Sequence, residues 1–463
     1  MFIAEPNRPI PSEAFQPVAA ERGCEAHFVL CTPYFLSTMA LFRKTIFWLH
    51  LATGVAAGLV VFVMSVTGVL LTYEKQMLAW ANARAYEVAP PTPGARKLGP
   101  EELLARALSA EPGKPTAVTW RAGEDRPVEV AFGREKTVFV DPYTGTVLGQ
   151  GAAGTRAFFR KVTDWHRWLG AQAESRETGK MITGASNLGF LFLVLSGFYL
   201  WWPRNWTRRV LRSVTWFQGG LSPKARDFNW HNVIGFWSCV PLAVIVASAV
   251  VISYPWASNL VYRSVGEEPP AQQGPGGGGG GAGARPAGEG AARAAAGGGP
   301  GARSGGEGRG GEGGDPVAAI RGIDPAWAVA SRRVEGWRSL TMQVPEAADA
   351  PVSFNIDRGS GGQPHKRATL ALDRATGEVT KWEPFSAGTK GRKLRSILRF
   401  AHTGEVLGLP GQTLAGIVSL GAAVLVFTGL ALSLRRFAAW RGRRRREPVR
   451  EPAARRPRVA DPV

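Results

Sequence analysis

Residues 47–74 read "FWLHLATGVAAGLVVFVMSVTGVLLTYE", a run that is apolar almost throughout but carries His50 near its start. It exceeds the roughly 20 apolar residues that cross a bilayer as a helix. A histidine at the entry of such a segment needs a partner or a function, because ionisable groups within membrane segments are costly and tend to be functional.

Three further stretches reach spanning length, at about 182–202, 232–254 and 412–434, against 47–73 for the first. Pro241 interrupts the third, which a membrane helix tolerates when neighbours satisfy the freed carbonyl. Hydrophobic content is an ordinary 45% over 463 residues, but it is gathered into these runs. The flanks set the direction. Arg43 and Lys44 precede the first span, "PRNWTRRVLRSVTWFQGGLSPKAR" follows the second and "RRFAAWRGRRRRE" follows the fourth. Positive flanks belong on the cytoplasmic side. Both termini are therefore expected in the cytoplasm and both long connections outside. The net charge of +20 is explained by this topology, and nucleic acid is not a partner. The lipid bilayer is. Trp48, Trp201, Trp202, Trp230 and Trp256 at the span ends read as an interfacial belt. Cys24, Cys31 and Cys239 form no CxxC, so neither a zinc site nor a disulfide framework is indicated.

The two halves of the chain resemble each other. "HLATG" opens the first span and "HNVIG" the third; "LSGFYLWWPR" closes the second and "FTGLALSLRR" the fourth. Each outer connection holds a strand–turn–strand signal, "TVFVDPYTGTVLG" at 137–149 and "ATLALDRATGEVTKWE" at 368–383. Further strand-like runs lie upstream, "TAVTWRA" and "PVEVAFGR" in the first and "SLTMQV" and "VSFNI" in the second, preceded by helices expected at 99–110 and 316–333. Each connection thus reads as a small α+β module. The Gly-rich run 270–314 cannot bury a core and reads as a flexible insertion.

Of six histidines, His27 and His365 sit in polar or peripheral sequence and read as solvated. His50 and His231 occupy the same position in the two halves, at the cytoplasmic entry of spans one and three. His166 in "TDWHRWLG" and His402 in "RFAHTGEVLG" lie outside, shortly before spans two and four. They form two pairs, one per membrane face. Two imidazoles on opposite sides of a flat macrocycle are what a b-type haem requires. Gly54 and Gly235, one turn after their histidines, leave room for a planar group and serve helix packing equally well. A bare zinc or copper ion wants more ligands, and a proton relay usually recruits membrane carboxylates, which the spans almost lack.

Taken together, "WLHLATGVAAGLVVFVMSVTGVLLTYE", "VDPYTGTVLG", "WHRWLG", "LSGFYLWWPR", "FNWHNVIGFWS" and "RFAHTGEVLGLPGQTLAGIVSLGAAVLVFTGLALSLRR" resemble the PepSY-associated transmembrane helix family, which includes iron-regulated membrane proteins and siderophore-linked ferric reductases. The resemblance runs from about residue 43 to 436. It implies a membrane α-helical fold: a four-helix transmembrane core built as two repeats, with two extracytoplasmic α+β PepSY-like modules. It also implies two b-type haems per chain. Carried over by position, His50 and His231 are the axial ligands of the cytoplasmic-side haem iron, and His166 and His402 those of the periplasmic-side haem.

On this reading 1–42 is an N-terminal segment, with Met39 an alternative start of translation. The first span is 43–74, the first PepSY-like module 75–165, and 166–203 the pre-helix and second span. A basic cytoplasmic loop follows at 204–229 and the third span at 230–256. The second module covers 257–400, including the insertion 270–314. The fourth span with its pre-helix is 401–436, and a basic tail is 437–463. The implied function is electron transfer across the bacterial inner membrane to ferric, siderophore-bound iron in the periplasm, an oxidoreductase of the ferric-siderophore reductase type with no catalytic residue identified. The cytoplasmic loops have no GxGxxG motif and no room for a flavin domain, so an external reductase or quinol must donate the electrons. Two other readings stay open at this level. One is a haem-free PepSY protein that regulates a periplasmic protease or envelope partner. The other is a haem relay to copper, a quinone or a periplasmic redox protein.

Overall fold

The computed structural model describes the backbone from Glu25 to Arg446 except 87, 134–135, 204, 271–319, 346 and 348–349, with side chains from Leu41 onward except also 84–85 and 445–446. The Gly-rich insertion beyond Pro270 and the first 24 residues, including the segment before Met39 in large part, lie outside the described residues. Two compact units divide the chain, Met1–Leu49 and His50–Val463. In the first, Thr45 donates its hydroxyl to the Leu41 carbonyl at 3.0 Å, and Phe47 and Trp48 meet edge to face.

In chain order the first half runs α1 (Glu25–Leu71), α2 (Glu74–Ala85), α3 (Pro100–Ala110), β1 (Ala117–Arg121), β2 (Val128–Phe132), β3 (Lys136–Val140), β4 (Val147–Gly149), α4 (Ala153–Trp168) and α5 (Ser175–Trp201). A short helix, α6 (Arg208–Thr215), links it to the second half. The order then recurs: α7 (Pro223–Ser253), α8 (Pro255–Ser264), α9 (Asp324–Arg333), β5 (Ser339–Gln343), β6 (Val352–Asp357), β7 (Arg367–Leu372), β8 (Val379–Pro384), α10 (Lys390–His402) and α11 (Gly408–Arg446). Among the described residues, four segments are long and apolar enough to cross a membrane: Leu41–Ala83, Ser175–Trp201, Pro223–Ser253 and Glu405–Arg444. Each contains one of the four runs expected from sequence, to within a residue at its ends, and α7 continues through Pro241.

The outer connections differ from two separate modules. Their eight strands form one antiparallel sheet in the order β4-β3-β2-β1-β5-β6-β7-β8. The seam is β1 against β5, where Thr119 stands opposite Thr341 with their hydroxyls 2.9 Å apart. Alternation then decides the two faces. Val118, Trp120, Leu340, Met342, Phe354, Ile356, Leu370 and Leu372 point to a single core covered by α3 and α9, where Trp120 stacks on Trp327 at 3.9 Å. Thr119, Arg121, Thr341, Asn355 and Thr369 point the other way. The expected hairpin turns are present: Asp141 and Asp373 each accept two backbone N–H groups two and three residues on, and Gly145 and Gly377 supply φ of 70°.

Ion pairs and amides tie the elements together at both ends of the bundle. Lys75 of α2 pairs with Glu405 at 2.7 Å, and Gln76 donates to Gln412 of α11 at 2.8 Å. At the end away from the sheet, the buried Asp227 of α7 pairs with Arg226 and, at 2.6 Å, with Arg435 of α11.

Candidate cofactor-binding sites

Each of the four histidines is fixed through Nδ1 by a different helix. His50 on α1 lies 2.8 Å from the Ser196 hydroxyl of α5, and His231 on α7 lies 3.0 Å from the Thr428 hydroxyl of α11. His166 on α4 lies 2.9 Å from the Thr67 hydroxyl of α1, and His402 on α10 donates to the Ile245 carbonyl of α7 at 2.9 Å. The three hydroxyls donate their own hydrogens to carbonyls one turn back, Ser196 to Phe192 and Thr67 to Val63 at 2.6 Å and Thr428 to Val424 at 2.8 Å. Toward the imidazoles they therefore accept, as the Ile245 carbonyl must. All four rings therefore carry the proton on Nδ1 and the lone pair, which a metal would take, on Nε2. Holding one ring nitrogen by a hydrogen bond so that the other can bind a metal is the usual second-layer device of histidine ligands.

His166 and His402 come together with ring centres 6.2 Å apart and planes inclined by 51°. Two metal–nitrogen bonds of about 2.0 Å, plus roughly 1.1 Å from each nitrogen to its ring centre, span about 6.2 Å, so one iron between these rings fits. His231 lies within electrostatic range of His50. On α7, His231 and the Ile245 carbonyl that holds His402 are fourteen residues apart, an axial separation of about 21 Å at 1.5 Å per residue. The pairs thus occupy two levels of the bundle. Val194, Leu242, Val246, Val418 and Ala422 form the apolar packing of the helices there.

Glycines admit the rings. A Cβ on Gly197 would stand 3.3 Å from His50 Cε1, one on Gly429 3.3 Å from His231 Cε1, and one on Gly68 3.6 Å from His166 Cε1. At Gly54 and Gly235, the positions expected to leave room for a planar group, a Cβ would meet Leu193 at 3.8 Å and Leu425 at 3.7 Å, which is ordinary helix contact.

The pair nearer the sheet opens into a chamber of about 3170 Å³. Its roof is the polar face of the sheet, its sides include α2, α4, α8 and α10, and its floor reaches Ser65, Gly68, Asn187 and Ser419 among the long helices. Burial, and to a lesser extent the neighbouring His402, pushes the His166 imidazole down to about 4, so at neutral pH the ring is uncharged, the form that ligates a metal. Among the described residues no three His, Cys, Asp or Glu side chains gather as ligands for a bare metal ion. His365 is exposed in a short turn away from both pairs, and the side chain of His27 lies outside the described residues.

The histidines were legible from the repeat, but their holders Thr67, Ser196 and Thr428 were not. The signal was present: Thr67-Gly68, Ser196-Gly197 and Thr428-Gly429 are the same hydroxyl–glycine dipeptide, of which the residue before the glycine holds Nδ1 and the glycine makes room for the ring. Comparison with curated proteins finds no match. The family model described as the PepSY-associated TM region matches residues 47–446. That match takes in every long helix, the sheet and all four histidines, and the chain belongs to the PepSY-associated transmembrane family.

Proposed function

We propose that this protein is a di-haem carrier of electrons across the bacterial inner membrane, reducing ferric, siderophore-bound iron on the periplasmic side. The observation that carries the reading is the set of four histidines held through Nδ1, two of them at a spacing that fits one iron. His50 and His231 would hold one b-type haem and His166 and His402 the other. Bound haem supplies one-electron chemistry at a six-coordinate iron, passing electrons on rather than binding substrate. Ser196, Thr428, Thr67 and the Ile245 carbonyl orient the rings, and Gly197, Gly429 and Gly68 make room for them.

The recurring element order and the palindromic strand order support reading the chain as two repeats, each with a PepSY-like module, fused at the β1–β5 seam. The basic flanks support an orientation with both termini in the cytoplasm and the sheet and chamber in the periplasm. A ferric complex would reach the sheet-side pair through the chamber, and reduction to iron(II) would weaken its hold by hard oxygen donors. The donor is an external reductase or quinol.

The test is the visible spectrum of the detergent-purified protein, oxidised and dithionite-reduced, with haem counted per chain. Two low-spin haems, falling to about one in His50→Ala or His402→Ala, are expected. A colourless, folded protein from haem-replete cells would sink this reading and favour a regulatory role for the sheet domain. Rapid reoxidation of the reduced protein by copper or quinone but not by ferric chelates would change the acceptor.

A further inference from the structure

We propose that the chamber selects its ligand by charge and takes anionic metal chelates, those bearing carboxylate or other negative groups, in preference to neutral or cationic ones. This rests on the reading of the chamber as the entry for a ferric complex, and deepens it.

Among the described residues, the wall of the chamber carries fourteen Lys and Arg side chains against nine Asp and Glu. At least six of the basic groups are paired with carboxylates of the same wall, among them Lys75 with Glu405 and Arg367 with Asp357. Whatever the individual partners, the wall holds an excess of five positive charges. That exceeds the pair of propionates one haem would bring. The basic groups are not spread evenly. Arg156, Arg160 and Arg167 lie on α4, and Lys393, Arg395 and Arg399 on α10, the two helices that carry His166 and His402. Arg395 donates through Nε to the Ser258 hydroxyl at 2.8 Å, which aims its guanidinium without neutralising it. Arg176, at the start of α5, has a buried Nε with no hydrogen-bond partner although it lines the same space.

Positive topology does not account for this placement. The basic residues that orient the spans lie at the opposite end of the bundle, where the loop around α6 and the end of α11 are found. By the same rule the sheet end should be poor in Lys and Arg. A cation-rich, partly enclosed wall focuses the field and concentrates anions within it. Guanidinium groups also match carboxylate geometry through paired donors. The volume exceeds the roughly 300–1,000 Å³ of ordinary small-ligand pockets, so a whole chelate with its first water fits.

The experiment compares two gallium(III) complexes of one linear trihydroxamate, one with its terminal ammonium free and one with that amine succinylated to a carboxylate. The metal-binding groups are the same in both; only the peripheral charge differs. Gallium takes no electron here, so binding is read whether or not electrons can pass. Affinity is measured by isothermal titration with the purified full-length protein, whose haem content is determined separately. The carboxylate complex should bind at least about tenfold more tightly at low salt, and the gap should close by roughly 0.5 M NaCl as screening shortens to a few ångströms. The double variant Lys393→Glu, Arg395→Glu should shrink or reverse the gap, with unchanged haem content as the check on folding. Arg338→Glu, on the sheet side of the chamber, is the second probe and should move the gap in the same direction. Equal affinities at low salt, tighter binding of the ammonium form, or no saturable binding of either complex would overturn the proposal. Failure of the redox reading shows separately, as missing haem in the spectrum.

Discussion

Thr428 Oγ1 lies 3.0 Å from His231 Nδ1 and stands toward it as an acceptor, because its own hydrogen is committed to the Val424 carbonyl at 2.8 Å. Ser196 stands in the same relation to His50 at 2.8 Å. The rotor of each hydroxyl thus sets the tautomer of a histidine on another helix. Thr428→Val keeps the shape and removes the acceptor. On the proposed di-haem reading it should weaken haem retention at the His50–His231 pair about 10- to 100-fold, the usual cost of losing a ligand's supporting hydrogen bond. Thr428→Ser should restore it. Transfer of haem to an excess of a haem-scavenging apoprotein, followed by absorbance, measures both.

The two classes of glycine separate by a methyl group. Gly197→Ala and Gly429→Ala each place a Cβ 3.3 Å from an imidazole carbon, closer than a comfortable contact. They should destabilise the packing of His50 and His231 by about 1–3 kcal/mol and, on the proposed reading, lower the haem occupancy there. Gly54→Ala and Gly235→Ala meet leucine side chains at 3.8 and 3.7 Å and should leave the haem content unchanged. Haem per chain across the four variants checks this. Equal losses in all four would mean that Gly54 and Gly235 also make room for the haem.

Trp120 is 4% exposed at the seam strand and stacks on Trp327. Its core is shared by strands from both outer connections, so truncation should loosen the entire sheet and not one half of it. Trp120→Ala should cost about 3–5 kcal/mol. Near-ultraviolet circular dichroism during thermal unfolding should show one transition shifted down. Two transitions, with only one shifted, would mean that the halves unfold independently.

Glu383 of β8 links the sheet to the helix that carries His402. It is held below its ordinary 4.5 by a hydrogen bond from Lys381 and by the nearby Arg392 of α10, against a partial burial that acts the other way. A carboxylate with a depressed folded value adds stability above its ordinary range and loses it as the pH falls through the lower folded value. The unfolding temperature of the sheet domain should therefore drop more steeply below pH 4.5 in the wild type than in Glu383→Gln. Parallel acid profiles would show that the pair contributes nothing measurable, as exposed pairs often do.

Much of this architecture was written locally. An apolar run of spanning length records its own surroundings, so all four long helices were legible, and so were the hairpins at Asp141 and Asp373, where a side chain bonds its own backbone two residues on. The recurrence of His50 at His231 and of His166 at His402 was equally visible, because it needs only the order of residues along the chain. What the sequence did not disclose lies between elements. That β1 would pair with β5, joining two expected modules into one sheet over one core, depends on two edges more than 200 residues apart meeting in register. That Ser196, Thr428 and Thr67 would each settle the proton of a histidine depends on which helix faces which. The chamber between sheet and bundle, with its excess of arginine, belongs to no segment at all. Periodicity reports which side of an element is buried and not what buries it; the partner is chosen by packing, which exists only once the chain has folded.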